Sequence, residues 1–188
     1  MAKNKWTNVA IHHSASDFGC SRLIRQWHIE RGWKDIGYHF VIQNGRPYSD
    51  WKLPIVPLIG SVELGRPFND DEWVQGNEIG AHTLGYNSNS IGICLIHLTK
   101  FYERQIESLF GISQHLMTRF NIPVKNFFGH YEKDKGKPDC PSFDMDLFRE
   151  ALFSPEGKKE FARYMIMNDK IIIPTCGVCH SPHEGREI

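Results

Sequence analysis

Apolar and polar positions alternate along this chain in two distinct rhythms. "NVAIHH", residues 8–13, is a brief apolar run of the length that suits a buried strand. In "SRLIRQWHIERG", residues 21–32, Leu23, Ile24, Trp27 and Arg31 recur at helical spacing, with Ser21 as the expected N-cap and Gly32 as the stop. "IGYHFVIQNGRPYSD", residues 36–50, reads as a strand, a turn at Asn44-Gly45 and a second strand, since Asn-Gly between two such runs is a strong hairpin signal. "NSIGICLIHL", residues 89–98, predicts a central strand. Residues 99–120 carry the longest helical pattern: Ile106, Leu109, Phe110, Ser113, Leu116 and Met117 line one stripe, and "NIP" ends it. One or two further helices are expected over 144–168, broken near Ser154-Pro155. Strands alternating with helices predict an α/β (α+β) fold, a central mixed sheet flanked by helices.

Two stretches break the pattern. Residues 50–77 hold Pro54, Pro57, Gly60, Gly65, Pro67 and Gly76 and an acidic tip at Asp70, Asp71 and Glu72; they read as an insertion or an elaborated hairpin. The tail after Pro174 is polar and rich in glycine and proline. At 188 residues the chain is expected to form one domain, 1–150, with a helical extension and polar tail over 151–188.

Composition narrows the function. Hydrophobic residues make up 40%, enough for a core. The 22 basic residues balance 22 acidic ones, which argues against sequence-independent binding to nucleic acid and against electrostatic docking on anionic membranes. The N-terminus lacks the apolar core of a secretory signal, and no run approaches the ~18 apolar residues of a membrane helix, so the chain reads as cytosolic at synthesis. The five cysteines (20, 94, 140, 176 and 179) are then expected to be thiols or ligands.

Candidate chemistry gathers at histidines and cysteines. His12 ends a buried-type strand, where a scaffold presents functional groups. His130 and Cys140 stand ten positions apart around a run of mixed charge, "EKDKGKPD". Two histidines, a cysteine and a water are the composition of a catalytic zinc site. The competing reading is a surface histidine and a buried apolar thiol. The tail motif "CGVCHSPH" is open in the same way. Cys-x-x-Cys-His is a haem c attachment pattern that needs export. Cys176, Cys179, His180 and His183 have the ligand types of a second zinc site at tight spacing. An exposed tail with two thiols is the third reading.

Four segments, in order, cover most of residues 8–148: "IHHSAS" (11–16), "IRQWHIERGWKDIGYHFVI" (24–42), "GAHTLGYNSNSIGICL" (80–95), and "GHYE" followed by "CPSFD" (129–144). On these the chain resembles the type 2 N-acetylmuramoyl-L-alanine amidases of the peptidoglycan recognition protein superfamily, and more narrowly the small phage endolysins. The resemblance implies zinc (Zn2+) in a surface cleft, held by His12, His130 and Cys140. It implies Tyr38, of "GYHF", as a catalytic tyrosine, and His82, with Asn87 of "GYN", at the substrate cleft. The family's catalytic lysine belongs two places before the third ligand, where this chain has Pro138; Lys137 is the expected substitute and Lys135 its rival. His13 and His39 are expected to be structural, His28 partly exposed, and Trp27, Trp33 and Phe40 in the core.

The implied reaction is hydrolysis of the amide between N-acetylmuramic acid and L-alanine, with peptidoglycan as partner and the protein a monomer. The implied setting is the cytoplasm of an infected bacterium, with release to the wall through a holin-type membrane hole. Two rival functions are a non-catalytic peptidoglycan-binding module, which commonly lacks a zinc ligand, and inhibition of a phage RNA polymerase, whose N-terminal determinant has no evident match in the eleven residues before His12.

Overall fold

A computed structural model of the chain describes residues 4–97 and 100–172. The tail residues Cys176, Cys179, His180 and His183 lie outside the described residues. Five strands form the main sheet in the order β3-β2-β4-β1-β6. They are β1 (Asn8–His13), β2 (Phe40–Ile42), β3 (Val62–Leu64), β4 (Ser90–Leu95) and β6 (Phe127–Gly129). β1 runs parallel to both β4 and β6, β2 parallel to β4, and β3 closes one edge antiparallel to β2. A second, two-stranded sheet pairs β5 (Phe101–Tyr102) with β7 (Ile171–Ile172). The central strands β1 and β4 are apolar on both faces, as strands covered by helices on both sides must be.

Side-chain alternation divides that apolar content between two layers. Val9, Ile11, Ile91, Ile93 and Leu95 face α2 (Glu103–Arg119), α3 (Met145–Phe153) and α4 (Pro155–Met167) and form the larger core with Leu109, Leu116, Phe148 and Phe161. Val41, Cys94 and Ile96 face α1 (Ser21–Glu30) and pack with Ile24, Trp27 and Tyr38. The expected stripe on α2 is the buried one, with Phe110 and Met117 at its margin. The expected break falls at Ser154, whose hydroxyl caps α4 by accepting from the Gly157 N–H. The expected boundary at 150 lies inside α3, and both C-terminal helices share the sheet's core.

Three local expectations are corrected. α1 is capped by Cys20, whose Sγ accepts from the Leu23 N–H at 3.4 Å, and Ser21 is the first helical residue. Asn44-Gly45 does not close a two-residue hairpin: β2 pairs with residues 62–64, so the connection spans 43–61. Asn44 instead binds across the loop, accepting from the Arg46 N–H and donating to the Asp17 carbonyl, while Pro47 and the prolines after it cannot supply ladder donors. His28 is buried, its Nδ1 accepting from the Gly37 N–H at 3.0 Å, and Trp33, packed on its ring, is 40% exposed.

Candidate active site

The site sits beyond the carboxyl ends of two adjacent parallel strands, where open α/β sheets form their crevices. His12 is the penultimate residue of β1 and turns toward the α1 layer, with only 1% of its surface exposed. His130 opens a 3-10 turn immediately after β6. Cys140 returns at the end of the following loop, where its carbonyl accepts from the Tyr131 N–H at 2.9 Å and its Sγ accepts from the His13 N–H at 3.4 Å. One ligand-capable atom from each of His12, His130 and Cys140 lies within 4.8 Å of the others. Cys140 Sγ is 3.8 Å from His12 Nδ1. The edges of a tetrahedral zinc site with ordinary bond lengths are about 3.3–3.6 Å. This donor set therefore fits a zinc-sized ion after a small contraction.

Hydrogen bonding settles which nitrogen of His12 is free. His82 Nε2 lies 3.2 Å from the Ser90 carbonyl oxygen, which can only accept, so Nε2 carries the proton and Nδ1 of His82 is an acceptor. His12 Nε2 lies 3.2 Å from that acceptor and donates to it. His12 Nδ1 is left as a bare lone pair, the nitrogen facing Cys140. Metal-ligating histidines are commonly oriented by such a partner on the other ring nitrogen. Burial pushes the pKa of His12 well below 6.5, with His82 and His130 as further causes, and lowers that of His130. Both rings are neutral at neutral pH, as ligation needs. Burial pushes the Cys140 thiol up to about 11, against the smaller opposing pulls of the His13 N–H and Lys137. Desolvation thus outweighs the pull of Lys137 toward the thiolate, and a bound cation must displace the thiol proton.

Residues 2–143 match the N-acetylmuramoyl-L-alanine amidase family, Amidase_2. The chain belongs to this family. It is 33% identical to the endolysin of Enterobacteria phage K11 over 72% of this chain and 80% of that protein. It is 35% identical to the endolysin of Escherichia phage T7 over 66% of this chain and 70% of the relative. Among solved structures it resembles the endolysin amidase LysCS of Clostridium intestinale URNW, with a TM-score of 0.56 and 25% identity over 74% of this chain and 77% of that one. The family uses a metal, and the His-His-Cys set is the cluster of three or more potential ligands found among the amidase's described residues.

The amidase brings Tyr38 to the same place. Its ring centroid is 5.2 Å from that of His12, and burial with the neighbouring Cys94 and Cys140 thiols raises its pKa well above 10, keeping the phenol neutral. Lys137 is exposed on the loop before Cys140, close enough to act on His130, Cys140 and His13, whereas Lys135 acts on none of these three. His82 lies behind His12 rather than on the open surface, 7% exposed. Asn87 acts on the same loop: its Oδ1 accepts from the His82 and Thr83 N–H groups at 2.8 and 2.9 Å. His39 is structural as expected, with Nε2 donating to the Glu78 carbonyl and Nδ1 accepting from the Gly92 N–H.

Sequence reasoning missed three contributors. Thr83 places its hydroxyl 3.2 Å from His82 Nδ1 and 3.4 Å from His12 Nε2. Gly80 and Gly92 form the slot for the His82 ring, since a Cβ on either would stand 2.5 or 2.6 Å from His82 Cδ2. The glycines of "GAH" and "SIG" were the available signal, but only the fold brings them to opposite sides of one ring.

Proposed function

We propose that this amidase is a zinc-dependent phage endolysin that cleaves the amide between N-acetylmuramic acid and L-alanine in bacterial peptidoglycan. The observation that carries the zinc assignment is the convergence of His12, His130 and Cys140 within 4.8 Å, with the His12 lone pair directed at the same point as the thiol. When bound, zinc supplies a positive centre that acidifies water and polarises a carbonyl.

The chain's own residues supply the rest. His12 and His130 hold neutral lone pairs, and His82 keeps His12 in the required tautomer. Tyr38, a neutral phenol beside His12, orients the attacking water and donates to the substrate carbonyl. Lys137 brings a flexible positive charge to the developing oxyanion. No helix among the described residues is long and apolar enough to cross a membrane. An endolysin made in the host cytoplasm and passed to the wall through a separate membrane hole is consistent with that.

Metal analysis of the purified chain, together with turnover of a muramoyl-peptide, tests this reading. One zinc per chain and release of the stem peptide are expected. Cys140→Ala should lose both together. A Cys140→Ala variant with full activity would overturn the ligand assignment, and peptidoglycan binding without stem-peptide release would overturn the enzymatic one.

A further inference from the structure

The turn that carries His130 is held by a side chain from outside the matched family segment. That segment ends at residue 143, and Arg149 lies six residues on, in α3. The Arg149 guanidinium donates to four acceptors. Nη1 reaches the Phe127 carbonyl at 2.9 Å and Glu132 Oε2 at 3.0 Å; Nη2 reaches Glu132 Oε1 at 3.0 Å and Asp146 Oδ1 at 2.6 Å. Glu132 Oε2 also accepts from the Gly129 N–H at 2.8 Å. Arg149 therefore grips β6 at Phe127 and the 3-10 turn at Glu132, with His130 between them.

The same helix is tied to the third ligand. Asp144, four residues after Cys140, caps α3 by accepting from the N–H groups of Asp146 and Leu147. The Tyr131 hydroxyl accepts from the Met145 N–H at 3.3 Å, while the Tyr131 N–H donates to Cys140. Met145 and Phe148 anchor the helix in the core with no exposed surface. The fork between Arg149 and Glu132 is bidentate, which fixes orientation as well as distance, and both side chains are largely shielded, at 18% and 25% exposure. A lysine could neutralise Glu132 but could not hold Phe127 and both carboxylate oxygens in one plane.

We propose that Arg149, through Glu132, is a positioning residue for the metal centre: it sets the orientation of His130 relative to Cys140 and so the affinity for zinc. This inference rests on the zinc reading above. It is tested in the full chain by competition for zinc with a chromogenic chelator, at a temperature where every variant is folded. Arg149→Gln and Glu132→Gln should each weaken zinc binding on the order of tenfold or more. Combining them should add little to either alone, because both break the same link. Arg149→Lys should fall between wild type and Arg149→Gln. At saturating zinc, kcat should recover with KM unchanged.

Phe161→Leu, in α4, thins the packing against Phe148 without touching the hydrogen bonds of the fork; it lowers thermal stability and serves as the control, and its zinc affinity should match wild type. Wild-type zinc affinity in folded Glu132→Gln or Arg149→Lys would overturn the proposal, as would an equal loss in Phe161→Leu. Failure of the zinc reading would appear separately, as zinc retained by Cys140→Ala.

Discussion

His82 Nδ1 lies 3.2 Å from His12 Nε2, at the ring nitrogen opposite the one that faces Cys140. The Ser90 carbonyl, by accepting from the far nitrogen of His82, dictates the proton positions on two histidines in series. Replacing His82 by Gln should leave His12 free to take the wrong tautomer. Zinc affinity is expected to fall roughly 10- to 100-fold, the usual effect of losing a partner that orients a ligand. Isothermal titration with zinc measures it, and an unchanged affinity would return His82 to a role at the substrate.

Gly92→Ala attacks the same ring from behind. The added methyl would stand 2.6 Å from His82 Cδ2, with β4 fixed on both sides by parallel neighbours. A loss of about 1–3 kcal/mol in unfolding free energy is expected, as for other overpacked cores. Denaturant titration gives the loss, and zinc affinity should drop in parallel.

The two loop lysines separate by their reach. Lys137→Ala should lower kcat on the order of tenfold or more, with zinc still bound, if its charge serves the oxyanion. Lys135→Ala should be close to wild type. Steady-state kinetics on a soluble muramoyl-peptide distinguishes them, and the reverse pattern would shift the catalytic role to Lys135.

Acid should unfold the metal-free protein through its buried histidines. Burial is the main cause that lowers His28, His39 and His97 to about 4 and His82 to about 3, from an ordinary 6.5. Each is at most 7% exposed. Because the unfolded chain takes up these protons first, the neutral histidines contribute full stability above about pH 6.5. That stability is lost as pH falls from 6.5 toward 4, by up to about 1.4 kcal/mol per pH unit for each group. Thermal unfolding at pH 7.5 and pH 4.5 should show a clearly lower Tm in acid, and a flat profile would contradict these directions.

The strands and helices nearest the core were legible because periodicity reports burial directly. β1, β4 and the stripe on α2 follow from apolar spacing, and the break at Ser154 from the Ser-Pro pair. Asn44-Gly45 misled because the same dipeptide that closes a tight hairpin also serves a loop held by side-chain bonds to Asp17 and Arg46. The N-cap slipped by one residue because a cysteine sulfur took the place of the expected hydroxyl. His12, His130 and Cys140 were open candidates from residue type and position, resemblance selected them and added Tyr38, and the fold brings them together. The partners of those groups were not legible. Ser90, Gly92 and Arg149 act through contacts that only the folded chain makes, and beyond the bare presence of a glycine in "SIG" no local pattern marks them.

The segment from His130 to Cys140 is pinched at its neck by the Tyr131 N–H donating to the Cys140 carbonyl, while residues 135–139 stand in solvent. The neck fixes the spacing of the two ligand-bearing ends, and the Cys140 N–H, donating to the Lys137 carbonyl at 3.2 Å, ties the near side of the tip to the third ligand. Length changes or a grafted peptide at Lys135 and Gly136, ahead of that bond, therefore need not move the ligands. The loop can change its length there while Lys137 keeps its place beside Cys140, so a displaced lysine is a tolerable change in this architecture.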